Sequence, residues 1–182
     1  MIVLALDPGL KTTGLCVLDD GLPTYRESIH TRPQRGLTKR EQAEAREVRV
    51  RQIAEQVAHA INCHKPDLIG IEEPYHATWL RGKRANATAG DVRTLWQLVG
   101  EFREAAGRAG CEVVMVAPED GFRALTGSPK GDKRTHVFFA NQLLRRAGMG
   151  ELKDSEDHVA DAMGVGLAAE QRAKMEKLTK AG

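Results

Sequence analysis

The chain has 182 residues, of which 41% are hydrophobic and 29% charged, and its formal net charge is +2. This length supports one well-buried core and is short for two, so we expect a single domain. Three widely spaced cysteines without a Cys-x-x-Cys pair argue against a disulfide framework and against a zinc site. No apolar run reaches the ~18 residues of a membrane span and no signal-peptide pattern is present, so we expect a cytoplasmic protein.

Taken in chain order, the apolar residues predict an α/β protein. The predicted strands cover residues 2–6, 14–18, 24–30, 67–73 and 112–118, and the first three form an antiparallel meander with a tight turn at 19–21. The predicted helices cover residues 37–63, 90–109, 131–147 and 155–172. We therefore expect one domain over residues 1–172, followed by a charged tail, 173–182, that frays.

Carboxylates end two of these strands and open the last helix. Asp7 ends the first strand, Glu72 ends the fourth, and the last helix carries Asp157, His158 and Asp161. Residues three or four apart share a helix face, so either Asp157 or His158 can point the same way as Asp161. If this helix packs across the strand ends, the acids converge and need a cation to neutralise them. Oxygen-rich ligation favours Mg²⁺ or Mn²⁺.

Most of these acids also have an ordinary structural interpretation. Asp7 suits a turn, Glu72 suits a solvated strand end, and Asp157 suits the first turn of a helix, where the helix dipole favours negative charge. Asp161 fits such an interpretation less well, because it lies in a run of small and apolar residues where an unpaired acid would be expensive.

Four segments of the chain resemble the sequence blocks of RuvC-type Holliday junction resolvases, in the same order and at similar spacing. They are "LALDPGLKTTG", "IGIEEPY", "GDKRTHV" and "DHVADAMGVG", and the resemblance spans residues 2–169. It implies a ribonuclease H-like α/β fold, in which a five-stranded mixed sheet combines a three-strand antiparallel meander with two parallel strands between flanking helices. It also implies a homodimer that cleaves four-way DNA junctions with Mg²⁺ or Mn²⁺, with branch-migration proteins as candidate partners.

The resemblance also assigns roles to single residues. Asp7, Glu72 and Asp161 match the family's three acids, and His158 matches a position where family members carry Asp or His. These four side chains would hold two divalent ions, and two ions can stabilise both the attacking and the leaving oxygen of a phosphodiester. Asp157 stays an alternative to His158, or an addition to it.

The remaining assignments concern DNA. Lys133 matches a lysine that the family holds near the scissile phosphate, and Tyr75 matches an aromatic residue that reaches bases at the junction. Ordinary loop packing is the alternative for Tyr75. Basic residues that would contact phosphates lie in several clusters, any of which could instead be a solvated face: Arg32, Arg35, Lys39 and Arg40; Arg81, Lys83 and Arg84; Lys130, Lys133 and Arg134; with Arg123 nearby.

Cutting a junction twice needs two active sites, which a two-fold dimer supplies. We expect an apolar helix face to be shared between subunits, and core packing is the alternative use of that face; its residues are Leu95, Trp96, Val99 and Phe102. The closest alternative function is a less selective nuclease of the same fold that cuts forks or flaps. An actin-like ATPase or kinase would need a second Gly-rich phosphate loop, and a binding-only protein would lack the four ligand positions.

Overall fold

The computed structural model describes residues 1–74, 89–129 and 131–181. Its five strands are β1 (Ile2–Asp7), β2 (Thr12–Asp19), β3 (Leu22–His30), β4 (Leu68–Glu72) and β5 (Glu112–Val116). Its α-helices are α1 (Lys39–His64), α2 (Ala89–Arg108), α3 (Pro118–Thr126), α4 (Lys133–Arg146) and α5 (Asp157–Ala181). The five strands and four helices predicted from the sequence are all present, and α3 is an addition.

The strands form one mixed sheet in the order β3-β2-β1-β4-β5. β1, β2 and β3 are antiparallel neighbours, whereas β4 pairs in parallel with both β1 and β5. Asp20 and Gly21 join β2 to β3 with positive φ angles of 45° and 78°, which suit the tight turn of a two-residue hairpin. The predicted meander and the two added parallel strands are confirmed.

Alternate residues of the central strand supply two cores, one on each face of the sheet. Leu4 and Leu6 are fully buried in the core that α1 and α2 cover, whereas Val3 and Ala5 are buried under α4 and α5. In a strand covered on both faces, the side chains on both sides are buried, so its sequence is a continuous apolar run. This explains the "IVLAL" segment of β1.

Helix α5 continues to Ala181, nine residues beyond its predicted end. Ala173 still packs against the core, and Lys174 Nζ lies 2.6 Å from a carboxylate oxygen of Glu170, one turn earlier. Residues 173–181, expected as a separate charged tail, are thus the last part of α5. Within residues 1–74, 89–129 and 131–181, no helix has both the length and the apolar character that crossing a bilayer requires.

Helix α2 uses much of its apolar face within the subunit. Val99 and Phe102 are buried against the sheet in the same core as Leu4, so their predicted place in a subunit interface is wrong. Leu95 is half-buried and Trp96 is 38% exposed. Val99 and Phe102 therefore serve core packing, which was the alternative use of this face.

Candidate active site

Two neighbouring parallel strands end in acids at the same edge of the sheet. Leu6 of β1 lies opposite Ile71 of β4, so the next residues, Asp7 and Glu72, end the two strands side by side. Asp7 is 7% exposed. The strand register thus brings the first two predicted site residues together.

A close contact between β2 and α5 brings the third element to this edge. Gly14 of β2 pairs with Asp7, and a Cβ atom at Gly14 would lie 1.9 Å from the carbonyl oxygen of His158. Only a residue without a side chain lets the first turn of α5 rest on the sheet here. His158 consequently lies next to Asp7.

Asp7, His158 and Asp161 form a cluster that could hold a metal ion. Each offers one ligand atom, and these atoms lie within 4.8 Å of one another. His158 Nδ1 is 2.5 Å from Asp7 Oδ2. Glu72 and Asp161 both line an adjoining cavity of about 360 Å³. The structure therefore brings together all four of the predicted ligand residues.

The acids of this cluster resist ionising together. Burial raises the pKa of Asp7 to about 6, with the charges of Asp161 and Asp157 adding to the rise and the hydrogen bond from His158 opposing it. Burial, followed by the charges of Asp7 and Asp161, raises the pKa of Glu72 well above its usual value. A divalent cation would relieve this repulsion. Three carboxylates and one imidazole are a donor set that suits Mg²⁺ or Mn²⁺.

Lys133 faces Asp157 at the rim of the cluster. The carboxylate of Asp132 accepts a hydrogen bond from the backbone N–H of Thr135 at 2.8 Å and caps α4, which places Lys133 in the first turn of that helix. Lys133 Nζ donates to Asp157 Oδ2, and this bond is the main reason that the pKa of Lys133 is raised. Burial opposes ionisation of Asp157, but the bond and the charge of Lys133 prevail and lower its pKa.

The contacts separate the two candidate ligands at the start of α5. Asp157 is paired with Lys133, whereas His158 contacts Asp7 and belongs to the cluster with Asp161. The hydrogen bond from His158 to Asp7 also raises the pKa of the imidazole. The geometry thus favours His158 over Asp157 as the ligand.

Sequence reasoning missed one side chain of the site, His136 on α4. Its Nδ1 lies 2.5 Å from Asp161 Oδ1, and the residue is 4% exposed. The signal was present in the sequence, because His136 follows Lys133 by three residues and so shares its face of a predicted helix. What the sequence did not reveal is how α4 packs against α5.

The sequence model of one protein family, described as crossover junction endodeoxyribonuclease RuvC, matches residues 3–169. The chain belongs to the RuvC family. RuvC of Parafrankia sp. (strain EAN1pec) is 28% identical over 163 residues, which cover 90% of this chain and 84% of that protein. RuvC of Rhodococcus jostii (strain RHA1) is 27% identical over 168 residues, covering 90% of this chain and 79% of that protein.

A solved RuvC structure has the same fold. Thermus thermophilus RuvC, determined in complex with a Holliday junction substrate, matches with a TM-score of 0.72 at 24% sequence identity, covering 97% of this chain and 96% of that chain. The five-stranded mixed sheet with its flanking helices is therefore the ribonuclease H-like fold of the RuvC family, as the sequence resemblance implied.

The residues expected to contact DNA are only partly described. Arg123 lies 2.8 Å from a carboxylate oxygen of Asp120, which also pairs with Arg172 at 2.6 Å. Arg134 is exposed in the first turn of α4. Arg32, Arg35, Lys39 and Arg40 are exposed too, and Arg40 pairs with Glu44 at 3.0 Å. The others lie outside the described residues: Tyr75, Arg81, Lys83, Arg84 and Lys130.

Proposed function

We propose that this chain is a cation-dependent endonuclease that resolves four-way DNA junctions by hydrolysing two phosphodiester bonds. The observation that carries the proposal is the cluster of Asp7, His158 and Asp161 beside Glu72, at the edge where two parallel strands end. Membership of the RuvC family and the junction-bound structure of a relative support it. We propose branched DNA as the substrate for the same reasons.

Asp7, Glu72, His158 and Asp161 would hold one or two Mg²⁺ or Mn²⁺ ions. When bound, such a cation activates a water molecule for attack on phosphorus and stabilises charge on the leaving oxygen. His158 would bind the cation through a ring nitrogen that carries no hydrogen, so binding should weaken where the imidazole is protonated.

Lys133 acts from the rim of the cluster. Its side chain is 64% exposed, and its bond to Asp157 holds the ammonium group beside the proposed ligands. A positive charge in this place stabilises the negative charge that grows on the phosphate oxygens in the transition state. Asp157 is accordingly a residue that orients Lys133.

The described part of the chain holds one such cluster, and resolving a junction takes two cuts. We therefore propose a homodimer with two-fold symmetry, which would present two sites to two strands of like polarity. Tyr75 would stack on a base at the branch, and the basic residues Arg81, Lys83, Arg84, Arg123, Lys130 and Arg134 would contact phosphates.

Cleavage of matched DNA substrates tests this function. A four-way junction, a replication fork, a flap and a linear duplex of the same sequence are incubated with the protein and Mg²⁺ or Mn²⁺, and the nicks are mapped. We expect paired nicks across the junction and far slower cutting of the duplex. Asp7→Asn should abolish the nicks and leave junction binding largely intact, because it removes a cation ligand and no surface charge that faces phosphate.

Two results would contradict the proposal. Equal rates on junctions, forks and flaps would indicate a less selective nuclease of the same fold. Full activity of Asp7→Asn, Glu72→Gln or Asp161→Asn would show that the altered acid is not a required ligand.

A further inference from the structure

His136 is a buried polar side chain with a single polar partner in the described part of the chain. Its Nδ1 lies 2.5 Å from Asp161 Oδ1, whereas its Nε2 is buried and has no hydrogen-bond partner among the described residues. A carboxylate accepts hydrogen bonds, so Nδ1 carries the hydrogen and donates it. The bond therefore joins α4 directly to one of the proposed cation ligands on α5.

Packing alone does not account for an imidazole in this place. A buried nitrogen without a partner costs free energy, and an apolar side chain of similar size would avoid that cost. What the imidazole adds over an apolar side chain is the bond to Asp161. The contact with that carboxylate is therefore the feature that distinguishes His136 from a core residue.

The ring of His136 packs between α3 and α5. Phe122 of α3 stacks on it, with ring centroids 4.5 Å apart and planes 24° from parallel. On α5, a Cβ atom at Gly164 would lie 3.2 Å from His136 Nε2 and 2.5 Å from the carbonyl oxygen of Gly121. The contact between these two glycines thus brings α5 against the Nε2 edge of the ring.

We propose that His136 is a positioning residue, which holds Asp161 Oδ1 and so fixes the plane of the Asp161 carboxylate toward Asp7 and His158. This inference rests on the proposed function, in which Asp161 is a cation ligand. Hydrogen bonds of this kind to metal-ligating side chains are typically worth 10- to 100-fold in metal affinity or activity.

Three substitutions of His136 separate positioning from packing, with Mn²⁺ binding to the DNA-free protein as the main readout. His136→Leu removes the donor. His136→Asn places an amide nitrogen near the position of Nδ1, whereas His136→Gln places the same group one bond further out, near Nε2. We expect His136→Leu and His136→Gln to weaken Mn²⁺ binding by about tenfold or more, and His136→Asn to retain most of it.

The matched control is Val137→Ala, on the same helix and buried in the core, with no polar group to contact Asp161. It should lower the unfolding temperature and leave Mn²⁺ affinity unchanged, which shows that lost stability alone does not weaken binding. The Mn²⁺ concentration that gives half-maximal junction cleavage should rise in parallel with the dissociation constant of each His136 variant.

The inference is overturned if His136→Leu binds Mn²⁺ as tightly as the unaltered chain. It is also overturned if His136→Asn and His136→Gln both fold and their Mn²⁺ affinities fall by the same factor. Should His136→Leu fail to fold, the comparison of Asn with Gln still decides. The proposed function fails separately, if the unaltered chain binds Mn²⁺ and cuts no junction. Absence of Mn²⁺ binding by the unaltered chain would overturn both.

Discussion

Burial gives Asp7 properties that an exposed aspartate does not have. Its pKa is raised to about 6, whereas an aspartate in the unfolded chain titrates near 4. The folded state therefore binds more protons than the unfolded state between about pH 4 and pH 6. The cation-free protein consequently loses stability as the pH rises through this range, because a buried carboxylate must ionise.

Asp7→Asn should therefore stabilise the cation-free protein at pH 7. The expected gain in the free energy of unfolding is on the order of 1–3 kcal/mol, and it should shrink at pH 5, where Asp7 is already largely protonated. Urea denaturation in EDTA measures this. Adding Mn²⁺ should stabilise the unaltered chain and leave the variant little changed. A variant that is less stable than the unaltered chain in EDTA at pH 7 would refute the argument.

His158 and Asp157 should respond differently to substitution. His158→Ala removes a member of the cation cluster, whereas Asp157→Asn leaves the cluster intact and only weakens the hold on Lys133. We expect single-turnover cleavage at fixed Mg²⁺ to slow at least tenfold more in His158→Ala than in Asp157→Asn. A larger loss in Asp157→Asn would make Asp157 the ligand.

The acids of the site could be predicted from the sequence, but the side chains that contact them could not. Asp7 and Glu72 end apolar strands, and Asp161 interrupts a small-residue helix, so each could be found from the pattern around it. Helical spacing allows both Asp157 and His158 to share a face with Asp161, and the contacts of Asp157 with Lys133 and of His158 with Asp7 separate them. His136 needed the packing of α4 on α5.

Among the elements, α5 depends most on close backbone contact. Its first turn can lie on the sheet only because Gly14 has no side chain, since a Cβ atom there would meet the carbonyl group of His158. The position of α5 decides where His158 lies relative to Asp7. A residue of β2 that bears no functional group thus controls the geometry of the cation cluster.

Gly14→Ala should force α5 away from the sheet. We expect a loss of about 1–3 kcal/mol in the free energy of unfolding, as for an overpacked core, together with weaker Mn²⁺ binding. Gly100→Ala is the control, because a Cβ atom on this glycine of α2 meets nothing within 4 Å, and alanine in a helix interior is favoured by about 0.5–1 kcal/mol. Calorimetric Mn²⁺ titrations of both variants check this. Unchanged affinity in Gly14→Ala would contradict the proposed link.

The elements themselves were largely predictable, with one omission. Strands covered on both faces and long amphipathic helices leave clear patterns, whereas α3 has only nine residues. Its signals were Pro118 at the first turn, two acids after it and Gly127 beyond its end, the usual marks of a short helix. The predicted strand, 112–118, includes Pro118, which is the first residue of α3 in the structure.

For the whole molecule, distinguishing a junction from plain duplex cannot rest on phosphate contacts, which both DNAs offer. Selection then requires the shape of the dimer and a group that exploits bases accessible at the branch. Tyr75 is the residue that the family resemblance assigns to this task, and it lies outside the described part of the chain.

Tyr75→Ala should slow cleavage of fully paired junctions by roughly tenfold or more, because base stacking is worth about 1–3 kcal/mol and ~1.4 kcal/mol corresponds to a decade in rate. Tyr75→Phe should be tolerated, since the ring does the stacking. The defect should shrink on junctions with unpaired bases built in at the crossover. Single-turnover rates on both substrates measure this, and an equal loss on both would point to a packing role.

The length of α5 sets a distance that solution experiments can use. At 1.5 Å per residue, its 25 residues form a rod about 37 Å long, and Glu176 lies about 28 Å from the first turn. A fluorescent dye attached at Glu176 would stand well away from the cation cluster. It would still be within range of energy transfer from a second dye on the DNA beside the cleaved phosphate. The transfer efficiency would therefore report the distance between α5 and the DNA as a junction enters the site.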